Sequence, residues 1–138
     1  MTPFIAMEDI EPHKRDIRST KCRPYTGGAK FRSGDILMAR ITPSLENGKT
    51  SRYVGTSPQQ VASGSTEFIV FRGKQGFSVS EFAYYVVTSP EARTHAIGLM
   101  NGSSGRQRVQ TDSLGEFKIL LPPLPEQRGI AATLGALV

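Results

Sequence analysis

The sequence has little of what disulfide formation, metal binding or membrane insertion requires. Cys22 is the single cysteine and His13 and His95 are the two histidines among 138 residues. An internal disulfide is therefore excluded, and no Cys/His cluster has the spacing of a metal site. The most apolar stretches, such as residues 117–121, are far shorter than the roughly 20 residues that span a bilayer. We expect a protein without bound metal, located in a reducing cytoplasm and not in a membrane.

Motifs of catalytic and cofactor sites are also missing. The chain has no glycine-rich nucleotide loop, and Pro122-Pro123 lacks the Asn and aromatic ring of an adenine methyltransferase loop. Neither histidine stands in a nucleophile-base setting, and Glu67 has no acid-and-lysine pattern near it, as a nuclease would need. We therefore expect no catalytic residue and no cofactor. A small methyltransferase remains an alternative that titration with S-adenosylmethionine excludes if no binding is seen.

The charge distribution favours a polyanionic partner. Seventeen lysines and arginines against twelve acids give a net charge of +5. Two windows, between Asp16 and Asp35 and between Glu91 and Asp112, contain basic residues but no acid. Such windows suit nucleic acid, although basic loops are also common as plain solvated surface.

The hydrophobic pattern predicts one compact α/β (mixed α+β) domain, a small mixed sheet flanked by short helices, with a further helix at the C-terminal end. Residues 8–30 and 55–65 are predicted as loops, the former packing little. Pro122–Pro125 is predicted as a stiff linker between a domain at 1–121 and a helical segment within 122–138. Strands are predicted at 3–7, 36–41, 49–54, 66–72 and 117–121, and helices from Ser80, from Ser89 to about Met100 and from Glu126.

Two polar loops carry the residue types that read base edges. Arginine and lysine match guanine and asparagine and glutamine match adenine, while glycine and serine suit phosphate. The alternative for the second loop is a plain helix-terminating turn. Glu46 and Glu67 are expected to brace the loops, and Lys30 is expected to lie nearby. The candidate DNA contacts are Lys30, Arg40, Asn47, Lys49, Ser103, Ser104, Arg106, Gln107 and Arg108.

Five ordered segments resemble the specificity subunits of type I restriction-modification systems. They are Gly34–Pro43 with Leu45–Lys49, Gly64–Phe68, Ser89–Glu91, Gly102–Val109 and Leu121–Ile130. The resemblance implies a DNA target-recognition domain followed by the start of a conserved spacer helix. It also implies partners: double-stranded DNA, methyltransferase subunits and a motor-nuclease restriction subunit, with catalysis in those partners.

The spacer helix and the extent of the chain give two further expectations. Ile130, Leu134 and Leu137 form an apolar stripe at helical spacing, which we expect to contact a methyltransferase subunit or a second copy of the chain. The family has two recognition domains and this chain shows one, so we expect a fragment or a half-subunit. The alternative function is an assembly module that binds the methyltransferase without reading DNA.

Overall fold

The computed structural model describes residues 1–100 and 107–137. Within these residues the strands are β1 (Thr2–Ile5), β2 (Asp16–Ile17), β3 (Cys22–Arg23), β4 (Ala29–Arg32), β5 (Ile36–Ala39), β6 (Thr50–Tyr53), β7 (Val61–Gly64) and β8 (Phe68–Phe71). The helices are α1 (Ser80–Val87), α2 (Pro90–Gly98), α3 (Thr111–Leu114) and α4 (Leu124–Gly135). None of these helices is long and apolar enough to cross a membrane.

The strands form two mixed sheets where the sequence predicts one. The first sheet has the order β3-β1-β7-β4 and the second the order β2-β6-β5-β8. The pairs β1/β7 and β2/β6 are parallel, and the remaining pairs are antiparallel. The mixed α+β class is confirmed, and the two sheets supply the frame that positions the polar loops.

Strand β5 lies at the centre of the packing, as its continuous apolar sequence predicts. All four of its residues are buried. Leu37 belongs to a cluster that contains Phe31 and Ile5 of the first sheet, whereas Met38 belongs to a second cluster with Ala96 of α2. Successive residues of a strand point to opposite faces, so β5 separates the two clusters and is covered on both sides.

Several predicted loops and elements differ from the structure. Residues 8–30 hold β2, β3 and most of β4, and Ile10 is only 1% exposed in the first cluster, so this segment does pack. The predicted loop 55–65 contains β7, which lies between β1 and β4. Its sequence has no apolar alternation because small residues are needed there: a Cβ at Gly64 would lie 2.6 Å from the Ile5 carbonyl oxygen.

The C-terminal part departs furthest from the prediction. Residues 117–121 form no strand, since no described strand pairs with them, and Leu120 is 92% exposed. The short helix α3 precedes them, although no helix is predicted there. Helix α2 ends at Gly98, and α4 begins at Leu124 instead of Glu126. The turn predicted at residues 101–105 lies outside the described residues.

Helix α4 is attached to the domain at its start. Gln127 is fully buried; its side-chain oxygen accepts from Val79 N at 3.0 Å, and its side-chain nitrogen donates to the carbonyls of Phe77 and Pro122 at 2.7 and 2.8 Å. Ala131, one turn later, is also buried. The predicted stripe lies elsewhere on the surface, with Ile130, Leu134 and Leu137 exposed by 40%, 36% and 78%.

Candidate nucleic-acid interface

The backbone joins the two predicted polar segments side by side. Directly after β5, Ile41 forms an antiparallel bridge with Arg108. Thr42 N donates to the Gln107 carbonyl at 2.9 Å, and Val109 N donates to the Arg40 carbonyl at 2.8 Å. Val109 is fully buried in the second cluster. Residues 40–42 and 107–109, far apart in the chain, therefore form one rigid edge of the domain.

Glu67 lies between two arginines of this edge. Arg108 Nε lies 3.0 Å from both carboxylate oxygens of Glu67, and Arg40 Nε lies 4.0 Å from Oε2. The hydrogen bond to Glu67, followed by the carboxylate charge, raises the pKa of Arg108 above its ordinary value. Arg40 Nε is buried and has no hydrogen-bond partner within the described residues. Arg40, Glu67 and Arg108 therefore form one cluster of two cations around one anion.

The first polar loop is a compact turn packed on the domain. Leu45 is 2% exposed and anchors it, while Asn47 and Glu46 face solvent. Glu46 accepts a hydrogen bond from the Thr42 hydroxyl within the same loop. Gly48 has a φ of +80°, and a Cβ there would lie 2.4 Å from His13 Cε1. Glycine is required at this position by both the conformation and the space.

His13 is the neighbour of this loop that the sequence does not reveal. Its N–H donates to the Gly48 carbonyl at 3.1 Å, and its φ of +61° is unusual for a residue with a side chain. Positive φ is not visible in a lone histidine within a polar stretch. The sequence pattern therefore offers no signal for this contact.

Two predicted contacts point away from the cluster. Lys49 Nζ donates to the Met7 carbonyl at 3.3 Å, against the N-terminal segment. Lys30 lies on β4 of the first sheet, with its Nζ 5.6 Å from the centre of the Tyr25 ring. Ser103, Ser104 and Arg106 lie outside the described residues. The structure thus groups Arg40, Gln107 and Arg108 near Glu67, with Asn47 on the adjoining loop.

Within the described part of the chain, no group of three or more His, Cys, Asp or Glu side chains is arranged to hold a metal ion. What the cluster offers is hydrogen bonding and charge. Arg108 is 38% exposed in its side chain and Arg40 is 24% exposed. The two guanidinium groups are oriented by one carboxylate and still reach solvent, which is the arrangement expected for recognising an anionic or hydrogen-bonding partner.

Comparison with known proteins agrees with this fold and site. Residues 1–138 match the family described as the type I restriction modification DNA specificity domain. The chain belongs to this family, which confirms the resemblance seen in its five ordered segments.

Similar proteins have specificity subunits in their names. The chain is 31% identical over 112 residues to the type I restriction enzyme EcoEI specificity subunit of Escherichia coli, covering 81% of this chain and 19% of that protein. It is 30% identical over 128 residues to the EcoAI specificity subunit of the same organism, covering 93% and 21%. The chain therefore spans about a fifth of the length of these relatives.

Solved structures share the fold. The crystal structure of the HsdS subunit from Thermoanaerobacter tengcongensis superposes with a TM-score of 0.75 and 25% identity, covering 99% of this chain and 35% of that one. A structure described as addressing complex assembly and conformational transition of the type I R-M system gives a TM-score of 0.66 at 20% identity, covering 99% and 30%. The second likeness concerns the fold alone.

Proposed function

We propose that this chain recognises a DNA sequence as the target-recognition domain of a type I specificity subunit. The observation that carries the proposal is the edge formed by residues 40–42 and 107–109, where Arg40 and Arg108 lie around Glu67. In this proposal, partner subunits perform adenine methylation and DNA cleavage. The chain contributes binding and no catalytic residue.

The proposed mechanism separates positioning from reading. Glu67 orients Arg108 through hydrogen bonds to both carboxylate oxygens, so less side-chain entropy is lost when DNA binds. Arg108 and Gln107 then read base edges, with guanine and adenine as the matching bases. Asn47 contacts DNA from the adjoining loop, and Glu46 braces that loop from within. Ser103, Ser104 and Arg106 are proposed from the sequence alone as phosphate and base contacts.

We further propose that α4 begins the attachment to partners. Ile130 and Leu134 are exposed on the same helix whose Gln127 and Ala131 are buried against the domain. An apolar pair on an exposed helical surface favours a helical partner. The proposed partner is a methyltransferase subunit, through which the restriction subunit joins the complex, or a second copy of this chain. On this basis we divide the chain into a recognition domain at 1–121 and a spacer start at 122–138.

The first experiment selects DNA from a randomised duplex pool. The purified chain, alone and with a cognate-type methyltransferase subunit, is incubated with the pool and the retained DNA is sequenced. We expect enrichment of a short motif. Retention that depends on salt but enriches no motif, in both conditions, contradicts sequence recognition.

Variants then assign the reading residues. Gln107→Ala and Arg108→Ala should each relax the motif at one or two positions, lowering discrimination by about 5- to 150-fold. Lys118→Ala, an exposed change on the segment after α3, is the matched control and should leave the motif unchanged. Charge reversal at Arg106 and Arg108 distinguishes the assembly alternative, since loss of DNA binding with methyltransferase binding intact supports recognition. Thermal unfolding shows whether each variant is folded.

A further inference from the structure

The first sheet has an outer face whose composition follows from strand register. Ile5, Phe31 and Ala62 lie in the core, so the residues beside them along each strand point the opposite way. Thr2 pairs with Arg23, Phe4 and Lys30 both pair with Ser63, and Arg32 pairs with Val61. Directly paired residues lie on the same side of a sheet. The outer face therefore consists of Thr2, Phe4, Arg23, Lys30, Arg32, Val61 and Ser63.

The outer face is basic and contains no acid. Arg23, Lys30 and Arg32 are three of its seven positions and are all exposed. Among residues 1–100 and 107–137, none of the three has a carboxylate within ion-pair distance. Their positive charges are thus not neutralised by neighbouring acids.

Aromatic rings hold two of these cations in place. The Arg23 guanidinium carbon lies 3.4 Å from the centre of the Phe4 ring, and Lys30 Nζ lies 5.6 Å from that of Tyr25, which is 51% exposed. A ring face attracts a cation without cancelling its charge. The cations are therefore supported on the sheet while remaining available to an anionic partner.

The outer face is continuous with the recognition edge. β4 begins with Ala29, which pairs with Gly64 at the end of β7, and the chain runs from Gly64 to Glu67 in three residues. Glu67 is the centre of the Arg40/Arg108 cluster. The outer face thus starts beside the proposed base-reading residues and extends away from them along β4.

The spacing of the cations suits a duplex. Lys30 and Arg32 are two residues apart on one strand, about 6.6 Å, close to two of the 3.4 Å steps between phosphates along one DNA strand. Arg23 lies on the opposite edge of the sheet, three strand spacings or about 14 Å away. That span is similar to the roughly 12 Å width of the major groove.

We propose that the outer face binds the phosphate backbone of DNA beside the recognised bases. The proposal rests on the proposed function, since it extends the same DNA contact beyond the target sequence. It assigns to Arg23 and Arg32 a role in positioning the duplex, and it gives Lys30 that role in place of a contact beside the polar loops. Phosphate contacts of this kind strengthen binding without depending on sequence.

The test compares two double variants with the same change in net charge. Lys30→Gln/Arg32→Gln alters the outer face, and Lys74→Gln/Lys118→Gln is the control, because both control residues are exposed on other segments. Binding of the chain is measured on duplexes with short and with long flanks around the selected motif. Measurements at several salt concentrations between 50 and 200 mM give the salt slope.

We expect the outer-face variant to reduce the salt slope by about 1.8, or about 0.9 for each lost phosphate contact. Across this range, that difference amounts to roughly 12-fold in the salt sensitivity of binding. The advantage of long flanks should fall, while the base preference in the selected motif should not change. The control should behave as the unchanged chain, and Arg23→Gln provides an independent variant on the opposite edge of the sheet.

Equal salt slopes for the two double variants and for Arg23→Gln overturn the proposal. Loss of methyltransferase binding by the outer-face variant, with DNA binding unchanged, also overturns it and identifies an acidic protein surface as the partner. The proposed function fails separately, through the absence of any selected motif. A reduced salt slope without a motif supports phosphate binding by this face while contradicting sequence recognition.

Discussion

At the scale of single residues, the Asp35–Arg72 pair fixes the start of β5. Asp35 is 1% exposed, and its two carboxylate oxygens accept from Arg72 Nε and the Arg72 terminal nitrogen, each at 2.8 Å. Oδ2 also accepts from Arg32 N at 2.9 Å. The hydrogen bond from Arg72 to Asp35 raises the Arg72 pKa above its ordinary value. A buried carboxylate is tolerated here because every side of it has a donor.

Removing Arg72 should cost more stability than neutralising Asp35. Arg72→Ala leaves an ionised carboxylate buried with one remaining donor, and we expect it to lower the free energy of unfolding by about 2–4 kcal/mol. Asp35→Asn leaves no charge in the core and should cost about 1–2 kcal/mol. Urea unfolding at pH 7, followed by circular dichroism, measures both. Arg32→Ala keeps the backbone donor and serves as control; a loss for Asp35→Asn that exceeds that for Arg72→Ala contradicts this account.

At the scale of elements, sequence reasoning succeeded where a segment carries its own signal. Ile36–Ala39 is a continuous apolar run, and it is a buried central strand. Ser89 precedes Pro90, and its side chain accepts from Ala92 N as the cap of α2. These patterns depend on neighbouring residues alone, so they are visible without knowledge of the rest of the fold.

Elements that depend on distant partners were not predictable. β7 has the sequence Val-Ala-Ser-Gly and exists because β1 and β4 pair with both of its edges. Residues 117–121 have the apolar character of a strand but have no pairing partner among the described residues. Likewise, the grouping of Arg40 with Arg108 follows from a bridge between distant segments. The sequence identified the side chains of the site but not which of them converge.

The attachment of α4 gives a prediction at the same scale. Gln127→Ala leaves Val79 N–H and the Phe77 and Pro122 carbonyls without their side-chain partner, and we expect a loss of about 2–4 kcal/mol in the free energy of unfolding. Hydrogen exchange should also become faster in α4 than in β5. The exposed neighbour Arg128→Ala is the control and should change neither quantity. Unchanged exchange in α4 after Gln127→Ala shows that this side chain does not fasten the helix.

At the scale of the whole molecule, the two sheets and α4 define separate surfaces. Tyr53 and Phe68 of the second sheet pack in one cluster with Ile5 and Phe31 of the first, so the sheets form a single frame. The recognition edge lies where β5 ends, and the exposed apolar pair of α4 lies on a helix that packs against α1. The proposed DNA contact and the proposed partner contact therefore use different elements of one frame.

Association should depend on the apolar surface of α4. Ile130→Asp and Leu134→Asp should each weaken binding of a methyltransferase subunit by roughly tenfold or more, because each removes apolar burial at the contact. DNA selection by the chain alone should be unaffected. Ala132→Asp, an exposed change on the same helix, is the matched control.

Sedimentation of the chain alone tests self-pairing. A dimer that the Ile130→Asp and Leu134→Asp changes convert to a monomer supports pairing of two copies through α4. A monomer at all concentrations contradicts self-pairing and leaves the methyltransferase as the proposed partner. Equal association by Ala132→Asp and the two stripe variants places the contact elsewhere.

The pairing of residues 40–42 with 107–109 has an evolutionary consequence. Its hydrogen bonds join Thr42 N to the Gln107 carbonyl and Val109 N to the Arg40 carbonyl, so they use the backbone and no side chain. Every residue except proline offers the same backbone groups. A substitution at position 107 can therefore alter which bases are preferred without separating the two segments. Descendants of such a domain inherit the frame and diversify their targets by exchanging a few outward-facing side chains.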